Sequence, residues 1–152
     1  MAEQKQIVLR NRRARYLYNI EDTIEAGIVL VGTEVKSIRA GKANITEAYA
    51  RVEDGEVWLY GMHISPYDPA SKFNHDPRRK RKLLLKRSEI RRLARVAEQK
   101  GATLIPLSLY FRRGLAKIEL GICHGKKQFE RKRQIAERDA QRELARELSR
   151  RR

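Results

Sequence analysis

The chain has 152 residues, enough to bury one real core and too few for two ordinary enzyme domains. Its 35 Lys and Arg against 19 Asp and Glu leave a net charge of +16 and an isoelectric point near 10.5, the electrostatic footprint of a nucleic-acid binder. The longest uninterrupted apolar run, Ala26 to Val31 with Gly27 inside it, falls far short of the roughly 20 residues a membrane span needs, and Met1 to Gln6 offers no apolar segment for secretion, so a cytoplasmic protein away from the membrane is expected.

In chain order, Met1 to Arg13 reads as a loose basic lead-in, and Ala14 to Ile20 as the strand that opens the fold. Glu21 to Ala26 suits a short helix stopped at Gly27. Ile28 to Arg39 reads as a long strand, buried on both faces at first and then alternating, with Gly32 as a bend. Ala48 to Val52 and Glu56 to Tyr60 flank Glu53-Asp54-Gly55, a hairpin signal. Ser65 to Pro77 holds three of the four prolines and reads as a long exposed loop. Ser88 is placed to cap a helix whose Ile90, Leu93, Ala94 and Ala97 share a face and which ends at Lys100-Gly101. Thr103 to Phe111 and Leu115 to Cys123, joined through Arg112-Arg113-Gly114, make a last hairpin. Cys123, the only cysteine, excludes an intrachain disulfide and reads as a buried strand residue. The fold class expected is mainly β: a small antiparallel barrel of about six strands, of the oligonucleotide-binding (OB) type, with peripheral helices. Periodicity alone leaves an open α+β sheet as the alternative.

The end of the chain is a basic tail. Between Lys126 and Arg152 stand eleven basic residues and five acids, a net of +6. Arg138, Arg142, Arg146 and Arg150 recur every fourth residue and in a helix form a like-charge ladder that opposes helix formation in isolation, so a polyanion is expected to supply its order. Without a continuous apolar stripe, the tail is not expected to dock on the core.

Two further clusters are basic. Arg10, Arg12, Arg13 and Arg15 surround Asn11, whose amide can reach base edges. Arg78-Arg79-Lys80-Arg81-Lys82 precedes Leu83-Leu84-Leu85, where an extended backbone sends Leu83 and Leu85 to the core and Leu84 outward. Most aromatics, among them Tyr16, Tyr18, Tyr49, Trp58, Tyr60, Tyr110 and Phe111, are assigned to core packing in strands; Phe129, alone in the basic tail, is the stacking candidate.

Enzyme chemistry finds little support. His63, His75 and His124 have no paired ligand spacing, so neither a metal nor another cofactor is expected. Gly121 to Lys127 lacks the spacing and the Ser or Thr of a phosphate loop. His75-Asp76 could form an acid–base pair, but its Asp-Pro context is that of a turn.

Several stretches match a known pattern in order along nearly the whole chain: Asn11-Arg12-Arg13-Ala14-Arg15, Glu25-Ala26-Gly27, Gly32 to Asn44 with its Glu-Val-Lys-Ser-Ile-Arg-Ala-Gly-Lys-Ala-Asn block, Asp76-Pro77-Arg78, Arg81 to Leu85, and Gly125-Lys126-Lys127. Together they resemble the small protein B (SmpB) family, the tmRNA-binding proteins of bacterial trans-translation. The resemblance implies an OB-type barrel over residues 1–124 and a tail over 125–152 that is disordered when free and helical on the ribosome. It implies binding to the tRNA-like domain of tmRNA, with Asn11, Glu25 and Leu84 facing RNA and Arg12, Lys36, Arg78, Arg79, Arg81 and Lys82 in support. The tail, through Gly125, Lys126, Lys127, Phe129, Arg131, Lys132, Arg138, Arg142 and Arg146, would meet the small ribosomal subunit and its RNA in the empty messenger channel. Elongation factor Tu and alanyl-tRNA synthetase would be partners only through tmRNA. Where the family commonly has Asp-Lys-Arg, this chain has Glu130-Arg131-Lys132, which keeps the charge order with different side-chain lengths. The leading expectation is a non-enzymatic RNA adaptor; a general single-strand RNA-binding or ribosomal protein of the same fold and an RNA-processing enzyme using His75, Asp76 or surface glutamates are the alternatives.

Overall fold

A computed structural model describes residues 5–67, 74–125 and 128–150, with only the backbone between 128 and 136. In chain order its first half contains β1 (Gln6–Arg10), α1 (Arg12–Leu17), β2 (Tyr18–Ile28), α2 (Gly32–Arg39), β3 (Ala43–Asn44), β4 (Tyr49–Glu53) and β5 (Glu56–Tyr60). The second half contains β6 (His63–Ile64), β7 (Arg81–Leu84), α3 (Arg87–Ala97), β8 (Ala102–Arg112), β9 (Leu115–Gly125) and α4 (Gln128–Arg150).

The molecule is mainly β. Seven strands run in the order β1-β8-β4-β5-β7-β2-β9, and β8 also pairs with β9, so six of them close a hydrogen-bonded ring. β8 serves three neighbours because one edge is given to β9 while the other is shared, Leu104 pairing with Ala50 of β4 and Ser108 to Phe111 pairing with β1. Inside the ring lie Ile24, Ala26, Val57, Leu59, Leu83, Leu109, Ile118, Leu120 and their neighbours, closed at one end by Leu93 of α3. A register shift between Pro106 and Ser108 turns Ile105 and Leu107 to the outside, where they meet Cys123 under Ala14 of α1. A Cβ at Gly121 would stand 2.9 Å from Leu107 Cδ1, so any side chain there would force Leu107 to shift.

Both hairpins form as expected. Asp54 and Gly55, and again Arg113 and Gly114, have positive φ, the conformation of tight two-residue hairpin turns. Cys123 is buried, as are Leu83 and the Tyr110 and Phe111 rings.

The first forty residues differ from the sequence reading. The lead-in contains β1, and Asn11 then starts a helix, because its side-chain oxygen accepts the Ala14 N–H at 3.2 Å. Strand begins only at Tyr18 and continues through the segment expected to be a helix. Ile24, Ala26 and Ile28 alternate inward, and nine registered pairs with β9 outweigh local helix preference. The long strand expected from Ile28 to Arg39 does not form: β2 ends at Ile28, and Gly32–Arg39 is a helix whose Glu34 and Ile38, one turn apart, are both buried.

Smaller corrections follow from caps. α3 starts at Arg87, with the Lys86 N–H donating to Glu89 at 3.0 Å, so Ser88 lies within its first turn and Val96 rather than Ala97 packs on the core. Leu85 is half-buried against the core. Part of the expected loop, Asp68 to Phe73, lies outside the described residues. α4 is one helix, and every described side chain on it is exposed. Among the described residues, no helix is long and apolar enough to cross a membrane.

Candidate nucleic-acid interface

Gly27 and Leu84 are register partners between β2 and β7. Strand alternation places Glu25 two positions along the same outer face, so Glu25 and Leu84 flank Gly27 there. Leu84 is 53% exposed on this outer face. Glu25 accepts hydrogen bonds from the Tyr110 hydroxyl and from Arg112 Nη1, the latter at 2.7 Å, and stays partly open to solvent. Burial, and then the bond to Glu25, push the Tyr110 hydroxyl well above its ordinary value, so the phenol remains a donor that orients the carboxylate. An oriented, accessible carboxylate accepts from the amino group of a base.

Across β9, Glu25 faces Glu119, which accepts from the Ser108 hydroxyl at 3.2 Å. Ser108 and Glu119 line a cleft with Arg10, Arg12 and Arg15. The outer surface therefore runs without interruption from the arginines around α1, past Glu119 and Glu25, to Leu84. It offers cations of the kind that hold phosphates, carboxylates of the kind that accept from base amino groups, and an exposed leucine.

Asn11 contributes differently from what its sequence suggests. Its amide donates to the Pro106 carbonyl at 3.0 Å, its oxygen caps α1, and the residue is only 4% exposed. Asn11 holds α1 against β8, and the exposed Arg12 presents the charge.

Arg81 is a correction of a larger kind, because its side chain is fully buried. Its Nε donates to Glu34 at 2.7 Å and its Nη1 to the Met62 carbonyl at 2.7 Å. The other Glu34 oxygen accepts from Arg79 at 2.5 Å and from the Val31 N–H at 2.9 Å. Burial opposes ionisation of Glu34, but the bonds from Arg79, the Val31 N–H and Arg81 prevail and hold its carboxyl below the ordinary range. Two of the five cations from Arg78 to Lys82 are thus committed to Glu34, tying α2 to β7. Lys82 pairs with Glu56 at 2.8 Å. Lys36 and Arg78 remain exposed around this knot, Lys36 with its ammonium 5.4 Å from the Tyr67 ring centre.

His75 is tied into the same region. Its Nε2 donates to the Ile64 carbonyl at 2.8 Å, which leaves Nδ1 to accept from the Thr33 hydroxyl at 2.9 Å. Both ring nitrogens have internal partners. Among the described residues, no three His, Cys, Asp or Glu come together as metal ligands.

Of the tail residues, Gly125 ends β9, and Arg138, Arg142 and Arg146 are exposed on α4. Phe129, Arg131 and Lys132 fall where only the helical backbone is described, and Lys126 and Lys127 lie outside the described residues.

The profile described as SmpB protein matches residues 8–150. The chain belongs to the SmpB protein family. Among similar SmpB relatives, the SsrA-binding protein of Acetivibrio thermocellus is 58% identical over 146 residues, 96% of this chain and 95% of that protein. The SsrA-binding protein of Moorella thermoacetica is 57% identical over 149 residues, 97% and 96% of the two chains. That of Desulfitobacterium hafniense is 55% identical over 145 residues, 95% and 93%. A solved SmpB structure, described as "tmRNA-SmpB: a journey to the center of the bacterial ribosome", is similar with a TM-score of 0.68 and 58% identity, over 80% of this chain and 85% of that one.

Ser108, Tyr110, Arg112 and Glu119 were not singled out by sequence for this surface. Tyr110 and Arg112 reach Glu25 across 85 and 87 residues, and no local pattern signals that meeting; it follows only once β2 and β8 are known to flank β9.

Proposed function

We propose that the chain is a non-enzymatic, cytoplasmic RNA-binding adaptor of trans-translation, which binds the tRNA-like domain of tmRNA and brings it to stalled ribosomes. The six-strand ring is read as an OB-type barrel, and residues 1–124 as the RNA-binding body. The surface from Arg12 past Glu25 to Leu84 contacts the RNA, with Lys36 and Arg78 as further phosphate contacts and Asn11 and Arg81 as supports beneath. The tail, 125–152, is read as a separate module that orders against ribosomal RNA in the empty messenger channel near the decoding centre, with Arg138, Arg142 and Arg146 on phosphates. Elongation factor Tu and alanyl-tRNA synthetase are met only through tmRNA.

The observation that carries this reading is the continuous cationic, acidic and apolar surface on a member of a family whose relatives are named SsrA-binding proteins. Competition binding at matched salt tests it. The tRNA-like domain of tmRNA should outcompete unrelated structured RNAs of equal length; equal affinity for all of them would favour a generic RNA binder.

A further inference from the structure

The outer face of the β4–β5 hairpin carries a group of side chains that the proposed interface does not use. Along this ladder Ala50 pairs with Leu59 and Val52 with Val57, and these face the core. The outward rows are Tyr49 opposite Tyr60, then Arg51 opposite Trp58, then Glu53 opposite Glu56. Core packing was the expectation for Tyr49, Trp58 and Tyr60. Instead Tyr49 is 40% exposed, and Trp58 and Tyr60 are half-buried on the surface.

The rings are arranged. Tyr49 and Tyr60 stack with centroids 5.6 Å apart and planes 15° apart. Lys80 lies 4.5 Å from the Trp58 ring centre and 5.9 Å from that of Tyr60, and Arg51 lies 6.0 Å from that of Tyr60. These cations are only loosely engaged elsewhere, Arg51 and Lys80 each reaching Glu53 at 3.8 and 3.9 Å. Exposed pairs that long contribute little, so both cations can move to a phosphate at small cost. The two aromatic rows are two residues apart, about 6.8 Å along the strand, so successive bases of an extended single strand can use both. Aromatic rings on a sheet face with cations at their rim are the general means of holding unpaired bases without reading sequence.

We propose that this face is a second RNA site, which stacks an unpaired stretch of RNA on Trp58 and the Tyr49–Tyr60 pair while Arg51 and Lys80 take its phosphates. A protein partner fits less well, because the patch carries exposed cations on a chain of net charge +16.

Trp58 is the only tryptophan, so its emission reports on the patch directly. The full chain is titrated with octauridylate and with an abasic chain of the same length. Octauridylate should quench Trp58 and bind more tightly than the abasic chain. Tyr49→Ala should weaken octauridylate binding at least about five-fold, while Tyr49→Phe preserves it. The proposal is overturned if octauridylate leaves Trp58 emission unchanged, if the abasic chain binds and quenches equally, or if Tyr49→Ala binds like the parent. The abasic comparison uses the unmodified chain and decides the matter even if the alanine variant does not fold.

Discussion

Leu84 lies directly over Gly27: a Cβ built at position 27 would stand 3.2 Å from the Leu84 Cβ. The absence of a side chain on β2 therefore sets how low Leu84 sits on the outer face, and hence the shape of that face. Gly27→Val should cost about 1–3 kcal/mol of stability through overpacking and should lower tmRNA affinity by lifting Leu84. Urea unfolding combined with gel-shift titration checks both, and Leu84→Asp should lower affinity without the stability loss.

Glu34 and Arg81 form a fully buried pair, so removing one partner strands a charge. Glu34→Gln should destabilise the fold by about 3–5 kcal/mol, measured by urea unfolding at neutral pH. Because the folded carboxyl titrates below its ordinary range, its contribution is fully present above the ordinary glutamate pKa and is lost as pH falls through the folded value. The difference between parent and variant should therefore shrink on acidification; a difference that grew in acid would contradict the assignment.

The parts of the fold legible in sequence were those fixed by neighbours in the chain. Asp54-Gly55 and Arg113-Gly114 announce their hairpins, and the alternation at Leu83-Leu84 sorts inside from outside. The stretch from Ala14 to Arg39 was not legible, because both periods fit it locally, and for β2 the choice is made by β9, whose pairing residues lie 90 to 107 positions further along the chain. The interface divided in the same way. Leu84 and Arg12 lie exposed as read, but the Arg79 and Arg81 in a run of five cations carry no mark of the carboxylate 45 and 47 residues upstream that turns them inward.

Arg12 is exposed on α1 beside Glu119, while Asn11 is buried beneath it. Arg12→Ala should weaken tmRNA binding and reduce the slope of log affinity against log salt by about 1, with unchanged thermal stability. Asn11→Ala should instead destabilise the fold by about 0.5–2 kcal/mol through loss of the helix cap.

Burial pushes the Cys123 thiol up to about 11, and its side chain is closed off under α1. In native protein at neutral pH it should resist an aromatic disulfide reagent and react only at the rate of unfolding. Prompt stoichiometric reaction would show that α1 opens readily from the sheet.

The most direct test of the central claim, that body and tail engage different RNAs, is a chain truncated after Lys127. It is compared with the full chain for tmRNA affinity and for tagging of nascent peptides on ribosomes stalled without a codon. The truncated chain should bind tmRNA about as tightly as the parent and fail to support tagging. Loss of tmRNA affinity on truncation, or tagging that survives it, would contradict the account.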